Sequence, residues 1–236
     1  MSLGDGDDTV RTEFLRALAH DIRSPLGIAS GVLGELGSAS QDEIEMLVPM
    51  ARRNLDRLAQ LATRLDMVAE VEEGTLRAQV DACDPAAAVA QAVDHRVRAE
   101  EDSVVVRADT ADARPMMADP ELLARVLGII LENAVRFARS EVRISLEDAD
   151  DDGQLCLCVD DDGPGIDPER FEGLFERYRS GRARGCDRDL ALGLSLARDY
   201  VELMGGSLAL ERGPHGSGTR CRLTFAAAPL EVGHGS

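Results

Sequence analysis

Lysine is absent from this chain, and positive charge is scarce. All 26 basic residues are arginines, against 44 acidic residues, so the net charge of the 236 residues is -18 at pH 7. Nucleic-acid recognition requires clustered positive charge, so we expect no nucleic-acid partner. No apolar run approaches the length of about 20 residues that spans a bilayer, and we expect no signal peptide. The five cysteines, an odd number, fit a reducing compartment better than a disulfide framework. We therefore expect a cytoplasmic chain without a membrane segment of its own.

The hydrophobic content is 44%, which suffices for a packed core, and the length allows one large or two modest domains. Cys156 and Cys158 alternate with leucine and valine, which predicts small residues filling a buried strand. A metal site there is the weaker alternative, because further ligands at usable spacing are missing.

Residues 15 to 36 carry apolar side chains at spacings of three and four, the pattern of a helix with one apolar stripe. The members of this stripe are Leu15, Leu18, Ile22, Leu26, Ala29, Leu33 and Leu36. His20 lies off the stripe, so we expect its side chain to point to solvent. Pro25 follows inside the helix, where a proline removes a backbone donor, costs about 3 kcal/mol and predicts a kink. A reactive histidine and an inert one are both compatible with this segment alone.

A second apolar-periodic run covers residues 44 to 68, between the turn-rich break Gly37–Ser40 and a helix end at Glu72–Gly74. The two long helices are predicted to form an antiparallel hairpin. Two helices cannot cover their own stripe, so pairing with a second copy as a four-helix bundle is the economical solution. We expect a homodimer; packing of the stripe on the rest of the same chain is the alternative.

From Val80 onward short strands alternate with helices, a pattern typical of a two-layer sandwich with helices on one face of a sheet. The predicted helices are Ala86–Arg98 and Pro120–Phe137, the second with Asp119 as its N-cap, and the predicted strands are Ser103–Ala108, Val142–Leu146, Leu155–Val159, Ser207–Glu211 and Thr219–Phe225. The predicted organisation is a flexible acidic terminus over residues 1–10, the helical hairpin over 11–74, the α/β domain over 75–228 and a flexible terminus over 229–236.

A glycine-containing acidic loop follows the strand that ends near Val159. Its D-x-G-x-G pattern consists of Asp161, Gly163 and Gly165. Glycines at such a place let the backbone turn tightly and approach a ligand that side chains would exclude. An acidic turn or a calcium loop is the alternative, although the spaced oxygen ligands and terminal glutamate of an EF-hand are absent.

Three stretches together resemble the two-component sensor histidine kinases. Phe14–Leu26 resembles their phosphoacceptor box, and Leu131–Phe137 looks like the N-box of their ATP-binding domain. The D-x-G-x-G loop is similar to the adenine-binding loop of the gyrase, heat-shock chaperone and histidine-kinase (GHKL) ATPases. The resemblance covers residues from about 11 to 225, with the motifs in the family's order. The implied fold is a long helical hairpin dimerising into a four-helix bundle, followed by an α/β sandwich of the GHKL type.

The resemblance implies a site for ATP and Mg²⁺. Asp161 would accept a hydrogen bond from the adenine amino group, which favours ATP over GTP. Asn133 would give an oxygen to Mg²⁺, with Glu132 as the adjoining acid, and Arg136 would contact phosphate where the family has lysine. The other implied nucleotide-binding residues are Gly163, Gly165, Tyr178, Arg179, Gly193, Leu194 and Thr219.

The region around Gly193 departs from the family pattern. Asp189 and Ala191 stand where the family has glycines, and Ile129 replaces a frequent asparagine one turn before Asn133. Ser195 is predicted to open a helix whose N-terminus faces the phosphates.

The implied activity is autophosphorylation of His20 by ATP, followed by transfer to an aspartate of a response regulator receiver domain. Asp21 would orient the imidazole, and Ser24 would orient water for dephosphorylation of the regulator. The input would come from a further sensor domain or another protein. A catalytically weak pseudokinase adaptor, suggested by the departures at 129, 189 and 191, is the second hypothesis. A GHKL ATPase unrelated to signalling is the third.

Overall fold

The computed structural model describes residues 5–97, 104–110, 114–149, 153–175, 188–214 and 216–229. The described chain forms two compact units, one of residues 5–75 and the other of residues from 76 onward.

The first unit is the predicted helical hairpin. Helix α1 spans Asp5–Glu35 and helix α2 spans Gln41–Glu72, so α1 already includes part of the stretch expected to be a flexible terminus. Helix α1 continues through Pro25. Ser40 opens α2 with a capping box: its hydroxyl accepts from the Glu43 N–H at 3.4 Å, and the Glu43 carboxylate accepts from the Ser40 N–H at 2.7 Å. The reciprocal cap satisfies two helix-end donors and fixes where α2 begins.

The hairpin buries only part of its apolar side chains. Ala29 and Val32 of α1 and Ala51 and Leu61 of α2 are buried. In contrast, large apolar side chains of both helices remain exposed, namely Leu26, Ile28, Leu33, Met46, Val48, Met50 and Leu55. Leu26 and Leu33 belong to the predicted stripe, so one chain alone does not cover that stripe.

The second unit is a two-layer α/β sandwich, as predicted. Its strands are β1 (Asp81–Cys83), β2 (Val105–Asp109), β3 (Met116–Ala118), β4 (Glu141–Ala149), β5 (Gln154–Asp161), β6 (Ser207–Arg212) and β7 (Thr219–Ala226). Its helices are α3 (Pro85–Val97), α4 (Pro120–Phe137), the short α5 (Phe171–Leu174) and α6 (Arg188–Leu203). The main sheet has the order β2-β4-β5-β7-β6, with β2 parallel to β4 and the other pairs antiparallel. Strands β1 and β3, which the sequence patterns missed, pair in a separate small sheet.

The core lies between the main sheet and helices α4 and α6. Helix α4 contacts β4, β5, α3 and α6, and α6 contacts β6. Residues of this core that are less than 2% exposed include Leu123, Leu127, Leu131, Ile144, Leu157, Leu196 and Leu223. Asp119 caps α4 by accepting from the N–H groups of Glu121 and Leu122, and its other oxygen accepts from the Gln79 N–H at 2.8 Å. Within the described ranges, no helix is long and apolar enough to cross a membrane.

Candidate functional site

His20 stands on the surface of α1, as its position off the apolar stripe predicts. Its side chain is 77% exposed, and its Nδ1 lies 3.2 Å from Oδ1 of Asp21. Ser24, one helical turn further on, is also exposed. With a proton on Nδ1 donated to Asp21, the Nε2 lone pair is free towards solvent. The hairpin therefore presents an accessible imidazole nucleophile beside an acid.

Asp161 ends strand β5 of the second unit and is half-buried. Its Oδ1 accepts from the Gly163 N–H at 2.8 Å, and the N–H and hydroxyl of Thr219 also donate to this carboxylate. Burial raises the pKa of Asp161 above its ordinary value, and the hydrogen bonds from Gly163 and Thr219 oppose that shift. The carboxylate is thus held in a fixed orientation at the start of the glycine loop.

The glycines around Asp161 allow three backbone segments to meet. A Cβ at Gly163 would overlap the carbonyl oxygen of Phe137, and a Cβ at Gly218 would overlap the carbonyl oxygen of Asp161. Gly165 and Gly218 both have φ of 75°, and a Cβ at Gly165 would lie 2.9 Å from the Gly218 oxygen. The loop, the end of α4 and the segment before β7 therefore meet in closely packed backbone around Asp161.

Helix α4 supplies the polar residues predicted for phosphate and metal. Asn133 is 6% exposed, and among the described residues its Nδ2 has no hydrogen-bond partner. A buried amide N–H donor without a partner fits a position that donates a hydrogen bond to a polar ligand. Glu132 beside it is half-buried, and Arg136 is exposed with its guanidinium 5.4 Å from the Phe137 ring centroid. Ile129, one turn earlier, is 6% exposed and belongs to the core.

The prediction that Ser195 opens a helix is wrong. Helix α6 begins at Arg188, so Gly193, Leu194 and Ser195 lie inside it, and the Ser195 hydroxyl donates to the Leu192 carbonyl at 3.0 Å. Leucine, a good helix former, occupies three of the seven positions 188–194, and the glycines that would interrupt the helix are missing at 189 and 191. Gly193 and Leu194 are both buried.

Leu174 and Phe175 are buried core residues. The Arg198 guanidinium of α6 lies 3.5 Å from the Phe175 ring centroid and is paired with Glu172 at 3.3 Å. This cation–π contact joins the segment after the glycine loop to α6. Tyr178 and Arg179, also predicted to bind nucleotide, lie outside the described residues.

Two further aspartates flank Asp161 and were not singled out from the sequence. Asp162 accepts from the backbone N–H groups of Arg139 and Ser140 at 2.7 and 3.0 Å, and from the Ser140 hydroxyl. These hydrogen bonds, above all those of Ser140, hold the pKa of Asp162 well below its ordinary value of 3.8. Asp160 points to the opposite face of β5 and pairs with Arg220. Because side chains alternate between the two faces of a strand, the sequence alone indicates that Asp160 and Asp161 face opposite sides of the sheet.

Family profiles match both units. Residues 118–229 match the family described as histidine kinase-, DNA gyrase B-, and HSP90-like ATPase. This match and the Asp161 loop define the second unit as an ATP-binding domain of that class. Residues 10–74 match the His Kinase A (phospho-acceptor) domain. The chain belongs to the two-component sensor histidine kinases.

Individual relatives agree with this assignment. The chain is 32% identical over 229 residues to the sensor protein KdpD of Rathayibacter rathayi, which covers 95% of this chain and 26% of that protein. It is 28% identical over 225 residues to the signal transduction histidine-protein kinase AfsQ2 of Streptomyces coelicolor, with coverage of 89% and 41%. The fold resembles the solved structure of the Acinetobacter baumannii histidine kinase AdeS, with a TM-score of 0.61, 20% identity and coverage of 89% of this chain and 98% of that one. The chain thus spans less than half the length of these two curated relatives.

Proposed function

We propose that this chain is an ATP-dependent protein-histidine kinase that phosphorylates its own His20 and passes the phosphoryl group to a response regulator. The observation that carries the proposal is the exposed imidazole of His20 with Nδ1 against the Asp21 carboxylate. The ATP-binding class of the second unit provides the phosphoryl donor. The aspartate of a receiver domain is the acceptor that the two-component assignment supports.

In this mechanism the histidine attacks through Nε2. The Nδ1 proton is donated to Asp21, which selects the tautomer with a free Nε2 lone pair and stabilises the imidazolium that develops. A bond forms between Nε2 and the γ-phosphorus while the bond from that phosphorus to the bridging oxygen breaks, and ADP leaves. Phosphoryl transfer needs mainly alignment and charge neutralisation, so positioning groups carry most of the catalysis.

The adenine is assigned to Asp161. The Asp161 carboxylate is half-buried and is held by hydrogen bonds from Gly163 and Thr219. An ionised carboxylate only accepts hydrogen bonds, so it can bind an amino group but not a keto oxygen, which is also an acceptor. The phosphates are assigned to Arg136 on the exposed surface of α4. Gly163 and Gly165 contribute space and backbone for the nucleotide rather than side chains.

The metal is assigned to the Asn133 amide oxygen, with Glu132 as the adjoining acid. The free Nδ2 of the buried Asn133 amide, which no other described residue engages, fits a donor to a phosphate oxygen, and the amide oxygen of the same side chain is the proposed metal ligand. Magnesium needs only one or two protein oxygens because it keeps much of its water. When bound, it supplies positive charge that neutralises the phosphate oxygens. Ile129 contributes no ligand, so the site on α4 has a single amide.

The active form is proposed to be a homodimer through the hairpin. Leu33 and Met46 are 61% and 67% exposed in one chain, and such apolar side chains on both helices call for a partner surface. A second copy as a four-helix bundle supplies a matching surface by symmetry.

Incubation of the purified chain with ATP radiolabelled at the γ-phosphate tests the activity. The wild type is expected to acquire label that is acid-labile and alkali-stable, as a phosphorylated histidine is. His20→Ala should abolish the label, and Asp161→Asn should abolish it together with nucleotide binding. His95→Ala, a histidine of α3 in the other unit, is the matched control and should label like the wild type.

Other outcomes separate the rival functions. Label that persists in His20→Ala would overturn His20 as the acceptor. Steady ATP hydrolysis that is indifferent to the His20 substitution would indicate an ATPase outside signalling. Neither label nor nucleotide binding in the wild type would indicate the adaptor function.

A further inference from the structure

A buried ion pair lies behind the nucleotide site, on the sheet face opposite the apolar core. Arg220 binds Asp160 through two parallel hydrogen bonds, Nε to Oδ1 at 2.7 Å and Nη2 to Oδ2 at 2.8 Å. The Arg220 and Asp160 side chains are only 13% and 9% exposed. The third nitrogen of Arg220 donates to Glu147 of β4 at 3.0 Å. Burying charges is costly unless the geometry is good, so this pair is a defined feature of the fold rather than a chance surface contact.

The pair marks the end of a strand ladder. Asp160 and Arg220 are the last Cα partners in the β5–β7 pairing. The next residues outward are Asp161 and Thr219, which meet through the Asp161 carboxylate. Beyond this rung Asp161 pairs with Val142 of β4 and Thr219 pairs with Arg212 of β6, whereas the pairing of β5 with β7 has ended. The ion pair on the last rung therefore ties β5 to β7 at the place where Asp161 and Thr219 begin.

The alternation of side chains keeps the pair away from the nucleotide. Asp160 and Asp161 project to opposite faces of β5, as do Arg220 and Thr219 of β7. Arg220 thus acts on the backbone that carries the adenine-reading group and has no direct contact with it.

We infer that Asp160 and Arg220 are positioning residues that set the orientation of Asp161 and thereby the selectivity of this site for the adenine amino group. The inference rests on the proposed role of Asp161 in binding ATP. It adds that adenine selectivity requires an ion pair on the opposite face of the sheet.

Arg222 provides a matched control on the same strand and face. It binds Glu211 at 2.8 and 3.2 Å and lies 3.6 Å from Glu147, and its Cα partner on β5 is Cys158, one pleat deeper in the ladder. Removal of the Arg222 charge disturbs a similar ion pair and leaves both Arg220–Asp160 hydrogen bonds in place, although Glu147 is shared by the two arginines.

The test compares binding of ADP and of purine riboside diphosphate, which lacks the 6-amino group, by calorimetry on the full chain. The variants are Arg220→Met, the milder Asp160→Asn, and Arg222→Met as control. The wild type is expected to prefer ADP by about tenfold or more, the value of a hydrogen bond to a charged acceptor. The preference should fall below about threefold in the two rung variants and stay within about twofold of the wild type in Arg222→Met. Because both nucleotides are measured on the same preparation, the ratio does not depend on the fraction of folded protein.

The outcomes distinguish this inference from the proposed function. A wild type without preference would overturn Asp161 as the adenine reader. A wild-type preference that is retained in Arg220→Met and Asp160→Asn would overturn the inference and leave the proposed function intact. If Arg220→Met and Asp160→Asn weaken the binding of both nucleotides equally, the inference is also contradicted, because selectivity is then unchanged and the defect is a general structural one.

Discussion

Glycine is required at position 218 for two independent reasons. Its φ is 75°, a backbone conformation that other L residues adopt at a cost, and a Cβ there would overlap the carbonyl oxygen of Asp161. Because Gly218 precedes Thr219, any shift at this point is transmitted to the hydroxyl and N–H that hold the Asp161 carboxylate.

Gly218→Ala is expected to destabilise the chain by on the order of 2 kcal/mol or more and to weaken nucleotide binding. Gly128→Ala is the matched control, since this glycine lies inside α4 and an added Cβ meets nothing within 4 Å. That change should stabilise by roughly 0.5–1 kcal/mol because alanine is the better helix former. Urea unfolding and ADP titration measure both effects. Equal stability of the two variants would contradict the role assigned to Gly218.

Local features of the candidate site were predictable residue by residue, but the ion pair behind it was not. The exposure of His20 follows from its position relative to one helical stripe, and the close backbone approach around Asp161 follows from the glycines spaced around it. The Asp160–Arg220 pair depends on a strand register that joins residues 60 positions apart, which no local pattern encodes. Which arginine pairs with Asp160 is therefore decided only when the sheet forms.

At the scale of elements, helix α4 was predicted with both of its ends because local chemistry fixes them. Asp119 caps its first turn and Pro120 begins it, and the structure has the predicted bounds Pro120–Phe137. Strands β1 and β3 were missed because three residues are too few to show alternation, and their pairing is set by tertiary context. Helix α6 begins earlier than expected because the family's glycines are absent from its first turns.

The junction between β5 and the turn after α4 depends on a single carboxylate. Asp162 collects two backbone N–H groups and one hydroxyl from Arg139 and Ser140, and the Asp162 N–H donates to the Glu141 carbonyl at 3.3 Å. Its lowered pKa means that the ionised form is favoured by folding. The stabilisation is therefore present above the unfolded pKa and is lost as the pH falls through the folded pKa.

Asp162→Asn tests this pH dependence. The free energy of unfolding of the variant should be lower than that of the wild type at pH 7, where Asp162 of the wild type is ionised in both the folded and the unfolded chain. The difference should shrink as the pH falls below the ordinary value of 3.8, because the unfolded carboxyl then takes up a proton and the advantage of the folded state declines. Urea unfolding of both proteins at pH 7 and at pH 3 makes the comparison. A difference that is the same at both values would show that ionisation of Asp162 contributes nothing.

At the scale of the whole molecule, the proposed reaction is divided between the two units. In this proposal the first unit presents the nucleophile on a helical surface, and the second binds the nucleotide at the Asp161 loop. The two family profiles, over residues 10–74 and 118–229, match these units separately, as expected of domains with distinct chemistry. Their different surfaces follow from this division: the sandwich buries its core within one chain, whereas the hairpin leaves large apolar side chains exposed.

Leu33→Glu tests whether those side chains form the surface between two copies. Leu33 is 61% exposed in one chain, so a glutamate is tolerated in the monomer, whereas in a four-helix bundle its charge would be buried without a partner. Sedimentation equilibrium should therefore show a dimeric wild type and a dimer dissociation constant raised by about 100-fold or more in the variant, since an unpaired buried charge costs several kcal/mol. Leu203→Glu is the matched control, because Leu203 is 42% exposed at the end of α6 in the other unit. It should associate like the wild type, and circular dichroism should show both variants folded. If the Leu33→Glu chain dimerises as tightly as the Leu203→Glu chain, this face of the hairpin is not part of the dimer interface. Its exposed leucines and methionines would then bind a different partner.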